Sequence, residues 1–361
     1  MGFACGIIGL PNVGKSTIFN ALSGAGAHMA NYPFCTIEPN KGIVPVPDER
    51  LKKIADLLHK ENPIPTRIEF IDVAGLVKGA SKGEGLGNKF LGHIRNVDAL
   101  VHVVRCFSND DVVHVTGDVD PLRDIEIINT ELMLADIEIL EKGLEKEHKQ
   151  ERSGEKKGKI KTEAIERMIG HLNNGNMLGT YVHGDDERGM LSEFGVITDK
   201  PVIYLANADE GEQSRRFIDI VADYAAKHGS QHLHIVGKLE EEISELPANE
   251  KREYLEAMGL AESGLDRLIR TAYGLLNLIT YYTAATELQA WTLPAGTGAA
   301  PAAGKIHTDF ERGFIRAEVF RYNDLVKLGS EKAVREHGLL RSEGKDYIVQ
   351  DGDIIKYLFN V

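Results

Sequence analysis

Cysteine is scarce: Cys5, Cys35 and Cys106 are the only three among 361 residues. Their odd number and the absence of any C-x-x-C spacing exclude a disulfide framework and a cysteine-built zinc cluster, so they read as reduced thiols. Long apolar runs are missing too. No uninterrupted stretch reaches the roughly 20 residues that a membrane helix needs, and no membrane span is expected. The opening Met1-Gly2-Phe3-Ala4-Cys5-Gly6-Ile7-Ile8-Gly9 is apolar but lacks a basic leader. It runs straight into a glycine-rich motif, reads as a core strand and not as a signal peptide, and points to the cytoplasm. Positive charge is in deficit, with 42 Lys and Arg against 55 Asp and Glu for a net charge of −13. That balance argues against nonspecific nucleic-acid binding by the whole protein, so any RNA contact has to be local.

At 361 residues the chain is long enough for two or three domains with real cores. Between residues 3 and 105, short β-rich runs (3–8, 68–71, 100–104) alternate with helical or loop stretches, the pattern of a parallel α/β sheet. After Pro121, Ile125, Ile128, Leu132, Ala135 and Ile139 recur at three- and four-residue steps, as on one face of a long helix. Residues 146–161 then carry seven Lys and Arg against three Asp and Glu, and a second amphipathic stretch passes through Ile165, Met168, Ile169 and Leu172. This predicts a helical hairpin with a basic tip. Pro201-Val202-Ile203-Tyr204-Leu205-Ala206 restores a buried-strand pattern, so the hairpin is an insertion within the α/β domain. Helix-like sequence follows to about residue 278, and then come strand signals at 288–293, 315–320, 347–349 and 354–359. Gln350-Asp351-Gly352-Asp353 between the last two is a turn signal, and the Gly/Ala/Pro-rich 294–303 stretch reads as a loop. The expected layout is an α/β nucleotide-binding domain over residues 1–124 and 198–277, the hairpin over 125–197, and a small β-rich domain over 278–361.

Gly9-Leu10-Pro11-Asn12-Val13-Gly14-Lys15-Ser16-Thr17 fits G-x-x-x-x-G-K-[ST] between a strand and a helix-forming run, the context that this motif requires. In such a loop the glycines let backbone N–H groups surround phosphates. Lys15 reaches the β and γ oxygens, and the Ser16 hydroxyl binds Mg²⁺ at a helix N-terminus. Asp72-Val73-Ala74-Gly75 ends a predicted strand and fits D-x-x-G, where Asp72 holds a magnesium water and the Gly75 N–H senses the γ-phosphate. Between the motifs, Thr36 in Asn31-Tyr32-Pro33-Phe34-Cys35-Thr36 is placed to close onto Mg²⁺, although neighbouring threonines compete by spacing. Gly75, Gly79, Gly83, Gly85 and Gly87 crowd the next segment, which reads either as a switch ordered by nucleotide or as a plain loop.

Guanine-specific relatives of this motif set carry Asn-Lys-x-Asp after a strand. Here the corresponding run is Asn207-Ala208-Asp209-Glu210: the lysine is gone and the final carboxylate is one methylene longer. Guanine selection should suffer, while an Asn207 amide can pair with the N6 donor and N7 acceptor of adenine. ATP is the favoured reading. Leu76 stands where a water-orienting glutamine is found in Ras-like proteins. His114, in Asn109-Asp110-Asp111-Val112-Val113-His114, is a candidate for that work, but it is one of 13 histidines and a lone one is more often structural.

With these motifs in hand, the chain closely resembles the YchF / Obg-like ATPase family over its full length. The resemblance is carried by residues 9–17, 31–39, 72–87, Arg105-Cys106-Phe107, 303–310 and 344–349. It implies a phosphate-loop NTPase domain, the inserted α-helical hairpin and a C-terminal TGS domain of β-grasp fold. It also implies ATP preference through residues 207–210, Mg²⁺ at Ser16 and Thr36, and His114 as catalytic histidine. Association with the ribosome or its RNA is implied as well, for a protein expected to be a monomer. Nucleotide contacts would come from Asn12, Val13, Gly14, Lys15, Ser16, Thr17, Phe107, Asn207, Ala208 and Glu210. Asn12 resembles the loop asparagine of relatives that K⁺ stimulates. Two departures stand out: Ala208-Asp209 inside the base motif, and Val236-Gly237-Lys238 where GTPases have Ser-Ala-Lys. A ribosome-associated ATPase is the leading expectation. A GTPase switch of translation or ribosome assembly, and a nucleotide-gated scaffold with little turnover, are its competitors.

Overall fold

The computed structural model describes residues 2–27, 41–73, 86–109, 114, 117–151 and 156–360. The expected positions Thr36 and Gly75, with the glycines at 79, 83 and 85, lie outside these. The chain divides into two compact units, residues 1–43 with 69–268, and residues 44–68 with 269–361.

The first unit is built on a six-stranded sheet. Its elements in chain order are β1 (Ala4–Ile8), α1 (Lys15–Ala27), β2 (Lys41–Pro45), then, after α2 (Glu49–Leu58), β3 (Arg67–Asp72), α3 (Leu86–Arg95) and β4 (Ala99–Cys106). There follow α4 (Pro121–Glu151), α5 (Lys156–Asn173), α6 (Asp185–Phe194), β5 (Val202–Ala208), α7 (Glu212–Lys227), β6 (Gln231–Ile235), α8 (Gly237–Glu245), α9 (Ala248–Ala257) and α10 (Gly264–Leu275). The strand order is β2-β3-β1-β4-β5-β6, and β1 runs parallel to both β3 and β4, as β5 does to β4 and β6. Every residue of β1, β4 and β5 is buried, as strands covered on both faces must be. Because these strands are parallel, the segments that follow β1, β3, β4, β5 and β6 all emerge at one edge, where open α/β sheets place their ligands.

The insertion is a helical hairpin. Ile125, Ile128, Leu132 and Ala135 of α4 are buried, and Leu140 packs with Ala164, Ile165, Met168 and Leu172 of α5. The side chains at the basic tip, residues 150–159, lie outside those described. Helix α6, which the sequence pattern does not announce, adds Met190 and Leu191 to the same core. Asp136 fastens the base of the insertion: its buried carboxylate accepts from Ile197 N at 2.9 Å and from Thr198 N and Oγ1 at 2.7 Å. No described helix is long and apolar enough to cross a membrane.

The second unit holds β7 (Leu278–Thr283), β8 (Gln289–Pro294), α11 (Ala299–Ile306), α12 (Thr308–Arg312), β9 (Phe314–Arg321), α13 (Tyr322–Leu328), α14 (Glu331–Glu336), β10 (Arg341–Glu343) and β11 (Asp353–Phe359). They form a mixed sheet ordered β10-β9-β11-β7-β8, with β11 parallel to β7. Residues 44–68, expected in the nucleotide domain, belong here instead. Helix α2 buries Leu51, Ile54 and Ala55 against Tyr282, Leu288, Phe320 and Leu325. Arg50 also bridges Asp48 and Asp351, at 2.9 and 2.6 Å. Three other expectations change. Strand β7 forms just beyond the presumed helical stretch, in a segment where no strand was expected, and 347–349 forms only an isolated bridge at Ile348. The 294–303 loop ends in α11, because Ala299, Ala302 and Ala303 make a fully buried face of small residues and Pro301 sits in the tolerant first turn. The 350–353 turn forms as expected, with Gly352 at φ 87° and Asp353 N donating to Gln350 O at 3.1 Å.

Candidate nucleotide site

The loop between β1 and α1 bends through three left-handed positions, Gly9 at φ 151°, Asn12 at φ 62° and Gly14 at φ 92°. Gly9 has no alternative, since a Cβ there would lie 2.5 Å from Val103 O. Gly14 is needed twice over: its φ suits glycine, and a Cβ would stand 2.1 Å from Asn207 Nδ2. The turn delivers Lys15 and Ser16 into the first turn of α1, which carries no acidic residue, so the positive end of the helix dipole faces the cleft uncompensated. Lys15 is 7% exposed, and its ammonium donates to Gly9 O at 3.0 Å and to Leu10 O at 2.6 Å. Burial lowers its pKa to about 8 in spite of the nearby Asp72 carboxylate.

Asp72, the last residue of β3, sits beside Ile7 in the register. Burial raises its pKa against the pull of Lys15. Its Oδ1 is buried and has no hydrogen-bond partner among the described residues. Such an atom costs free energy unless something outside the protein fills its lone pairs. A hydrated cation would do so, and with the Ser16 hydroxyl this donor set fits Mg²⁺ held through water and phosphate oxygens.

At the other end, the register sets Asn207 of β5 beside Arg105 of β4 and Ile235 of β6. Its side chain works as a clamp: Nδ2 donates to Val13 O and Oδ1 accepts from Gly237 N, both at 3.0 Å. The clamp occupies one N–H and one oxygen lone pair, which leaves the amide one donor and one acceptor site for the adenine contact expected of Asn207. Asp209 accepts from Ser108 N at 3.0 Å, Gly211 N at 2.8 Å and Ser214 Oγ at 2.5 Å. Phe107 is held from below by buried Arg105, whose guanidinium lies 4.5 Å from the ring centre and whose Nε donates to Phe107 O at 3.3 Å.

Between the two ends lies a cavity of about 420 Å³. Of the residues expected from sequence, Asn12, Gly14, Lys15, Ser16, Thr17, Phe107, Asn207 and Ala208 line it, and Val236, Gly237 and Lys238 close its far wall. Val13 is buried behind the loop and contributes the carbonyl that Asn207 grips. Glu210 is exposed and is not on the wall. His114 is not on the wall either: its Nε2 is 2.8 Å from Asp124 Oδ2, and both side chains are buried at the start of α4. Ser108, Asn109 and Asp209 were missed, although they line the cleft. Asp209 two residues before Gly211 is a recognisable Asx-turn signal, but its bond to Ser108 spans 101 residues and leaves no local trace.

Two family models match the chain: MMR_HSR1, described as "50S ribosome-binding GTPase", over residues 4–165, and YchF-GTPase_C, described as "Protein of unknown function (DUF933)", over residues 278–360. Proteins named "Ribosome-binding ATPase YchF" from Haemophilus influenzae and Bacillus subtilis are 50% and 47% identical to it, each alignment covering 100% of both chains. The solved structure of the Schizosaccharomyces pombe YchF GTPase superposes with a TM-score of 0.89 at 36% identity, covering 99% of this chain and 98% of that one. Identity of this order from end to end, on the same fold and with the phosphate loop in place, means that this chain belongs to the YchF family.

Proposed function

We propose that this protein is a ribosome-binding ATPase whose nucleotide state governs its contact with the ribosome. The observation that carries the reading is the cleft, with a cationic, N–H-lined end at Lys15 and α1 and an aromatic end at Phe107. Lys15 leaves its loop carbonyls for the β and γ oxygens, and the loop N–H groups and the α1 terminus share the phosphate charge. Ser16, Thr36 and Asp72 would hold Mg²⁺, with the Gly75 N–H at the γ-phosphate; the ion would supply neutralisation of charge on the β and γ oxygens.

The base end favours adenine. Asp209 is the one carboxylate among the described wall residues, and three protein donors already engage it. Guanine's N1–H and N2–H₂ donors therefore lack the acceptor that an Asn-Lys-x-Asp motif provides. His114 is the water-orienting candidate; to act, its ring must turn from Asp124 toward the cleft. Asn12 is the position at which a K⁺ ion would assist. The family models and the S. pombe protein carry GTPase names, so a GTPase remains the second reading.

Ribosome contact is assigned to the hairpin tip (Lys146, Lys149, Arg152, Lys156, Lys157, Lys159, Lys161) and to the TGS-like C-terminal unit, where Lys305, Arg312, Arg316, Arg321 and Lys327 are all exposed. The Debye length is about 8 Å at physiological ionic strength, so such patches act locally in spite of the net charge of −13. A cytoplasmic monomer touching ribosomal RNA fits this arrangement. The deciding experiment is ATP and GTP turnover with and without ribosomes and K⁺, alongside co-sedimentation of a Lys156→Glu, Lys157→Glu, Lys159→Glu variant. Faster GTP than ATP turnover defeats the substrate assignment. Undiminished co-sedimentation moves the contact to the C-terminal unit.

A further inference from the structure

Asp209 sits one residue before the expected base-reading carboxylate, Glu210, yet it is Asp209 that reaches the cleft. Its two oxygens divide their work. Oδ1 closes the turn after β5, accepting from Gly211 N at 2.8 Å and Ser214 Oγ at 2.5 Å. Oδ2 leaves that turn and accepts from Ser108 N at 3.0 Å, in the loop after β4. A second bond, Ser108 Oγ to Gln213 Oε1 at 3.2 Å, runs alongside. On its far side the same loop is tethered by Arg105, which donates to Phe107 O at 3.3 Å and Asn109 O at 3.2 Å. The 107–109 loop is thus held from both sides, and Phe107, Ser108 and Asn109 all form cleft wall. Hydrogen bonds to a carboxylate are roughly twice as strong as neutral ones, so Oδ2 is the strong member of this latch.

We propose that Asp209 is a specificity-positioning residue: its carboxylate latches the 107–109 loop to the β5–α7 turn and so sets the wall against which the nucleobase rests. This deepens the nucleotide reading of the cleft and rests on it. The latch acts on the base and not on the phosphates, because none of its bonds reaches residues 9–17.

Asp209→Asn separates the two oxygens. Its remaining oxygen can still serve Gly211 and Ser214, while its NH₂ cannot accept from Ser108 N. Calorimetric titration of the full-length protein with ATP, GTP and inorganic triphosphate is the test, with melting temperature recorded for each variant. For Asp209→Asn, ATP affinity should fall about tenfold, the ATP-to-GTP ratio should move toward one, and triphosphate affinity should stay unchanged. Ser214→Ala, which removes a donor to Oδ1 and leaves Ser108 N on Oδ2, should lower ATP affinity less than Asp209→Asn does. Ser108→Ala, at an exposed position where folding is not at risk, should give a smaller fall of the same kind. The proposal is overturned if Asp209→Asn keeps parental ATP affinity, or if all three ligands weaken together. If the unaltered protein binds none of the three, the nucleotide reading itself has failed, a result distinct from either.

Discussion

The two ends of the cleft are built in different ways. At the phosphate end, binding groups come from backbone shape: left-handed Gly9 and Gly14, a helix terminus, and one lysine five to six residues from its carbonyl partners. At the base end, side chains hold distant loops together, Asn207 reaching Val13 across 194 residues and Asp209 reaching Ser108 across 101. A charge-reading end has to be rigid and local. A base-reading end can be retuned by exchanging one long-range bond, and under the proposed reading such an exchange would let a GTPase-like frame favour a different purine.

The largest effect should come from the phosphate end. Lys15→Ala removes a charge-assisted contact to the triphosphate and should weaken Mg·ATP and Mg·GTP alike by about 100-fold or more, measured by fluorescent-nucleotide competition. A loss confined to one nucleotide would show that the ends are not separate. Next, Gly14→Ala strikes where the ends meet, because its Cβ would stand 2.1 Å from Asn207 Nδ2 at a backbone φ of 92°. It should cost about 1–3 kcal/mol of stability and weaken triphosphate and nucleoside triphosphate together, seen as a lower melting temperature with parallel affinity losses.

His114→Ala sharpens the comparison by touching neither end. Turnover should fall about 100-fold with ATP affinity near the parental value, as for a group used in the transition state. Leaving Asp124 without its buried partner should also cost about 1–3 kcal/mol of stability. Equal loss of binding and turnover would make the histidine structural.

The smallest effect concerns pH. Burial lowers the Lys15 pKa from 10.5 to about 8, so folding releases a proton. The protein without nucleotide should therefore gain stability from this group as pH rises from about 8 to 10.5, where the unfolded chain binds more protons. Nucleotide works in the opposite sense. Phosphate favours the charged ammonium, so above about pH 8 ATP binding should take up a proton and weaken as pH rises. Titration calorimetry in two buffers of different ionisation enthalpy reads this uptake directly, and Lys15→Ala should abolish it.

What the sequence made legible follows the same division. The strand-to-helix loop at residues 9–17 and the place of Asp72 at the end of β3 were readable because glycine spacing and strand-to-helix context are local properties. The hairpin was readable from three- and four-residue apolar steps that α4 and α5 do bury. Asn207 was identified as a site residue, but its work as a clamp was hidden, since nothing local shows that Gly14 and Gly237 leave room for its amide. Helix α2 was placed in the wrong unit because an apolar face of Leu51, Ile54 and Ala55 does not say which sheet it will cover. The α11 stretch looked like a loop because Gly, Ala and Pro are turn-rich residues, although small side chains also allow a helix to pack close.

The most direct measurement is the affinity ratio of ATP to GTP for the unaltered full-length protein, with inorganic triphosphate as the base-free reference. ATP should bind at least tenfold more tightly than GTP, and GTP little better than triphosphate, because no free carboxylate stands among the described wall residues to meet guanine. GTP binding as tightly as ATP, or more tightly, would contradict it.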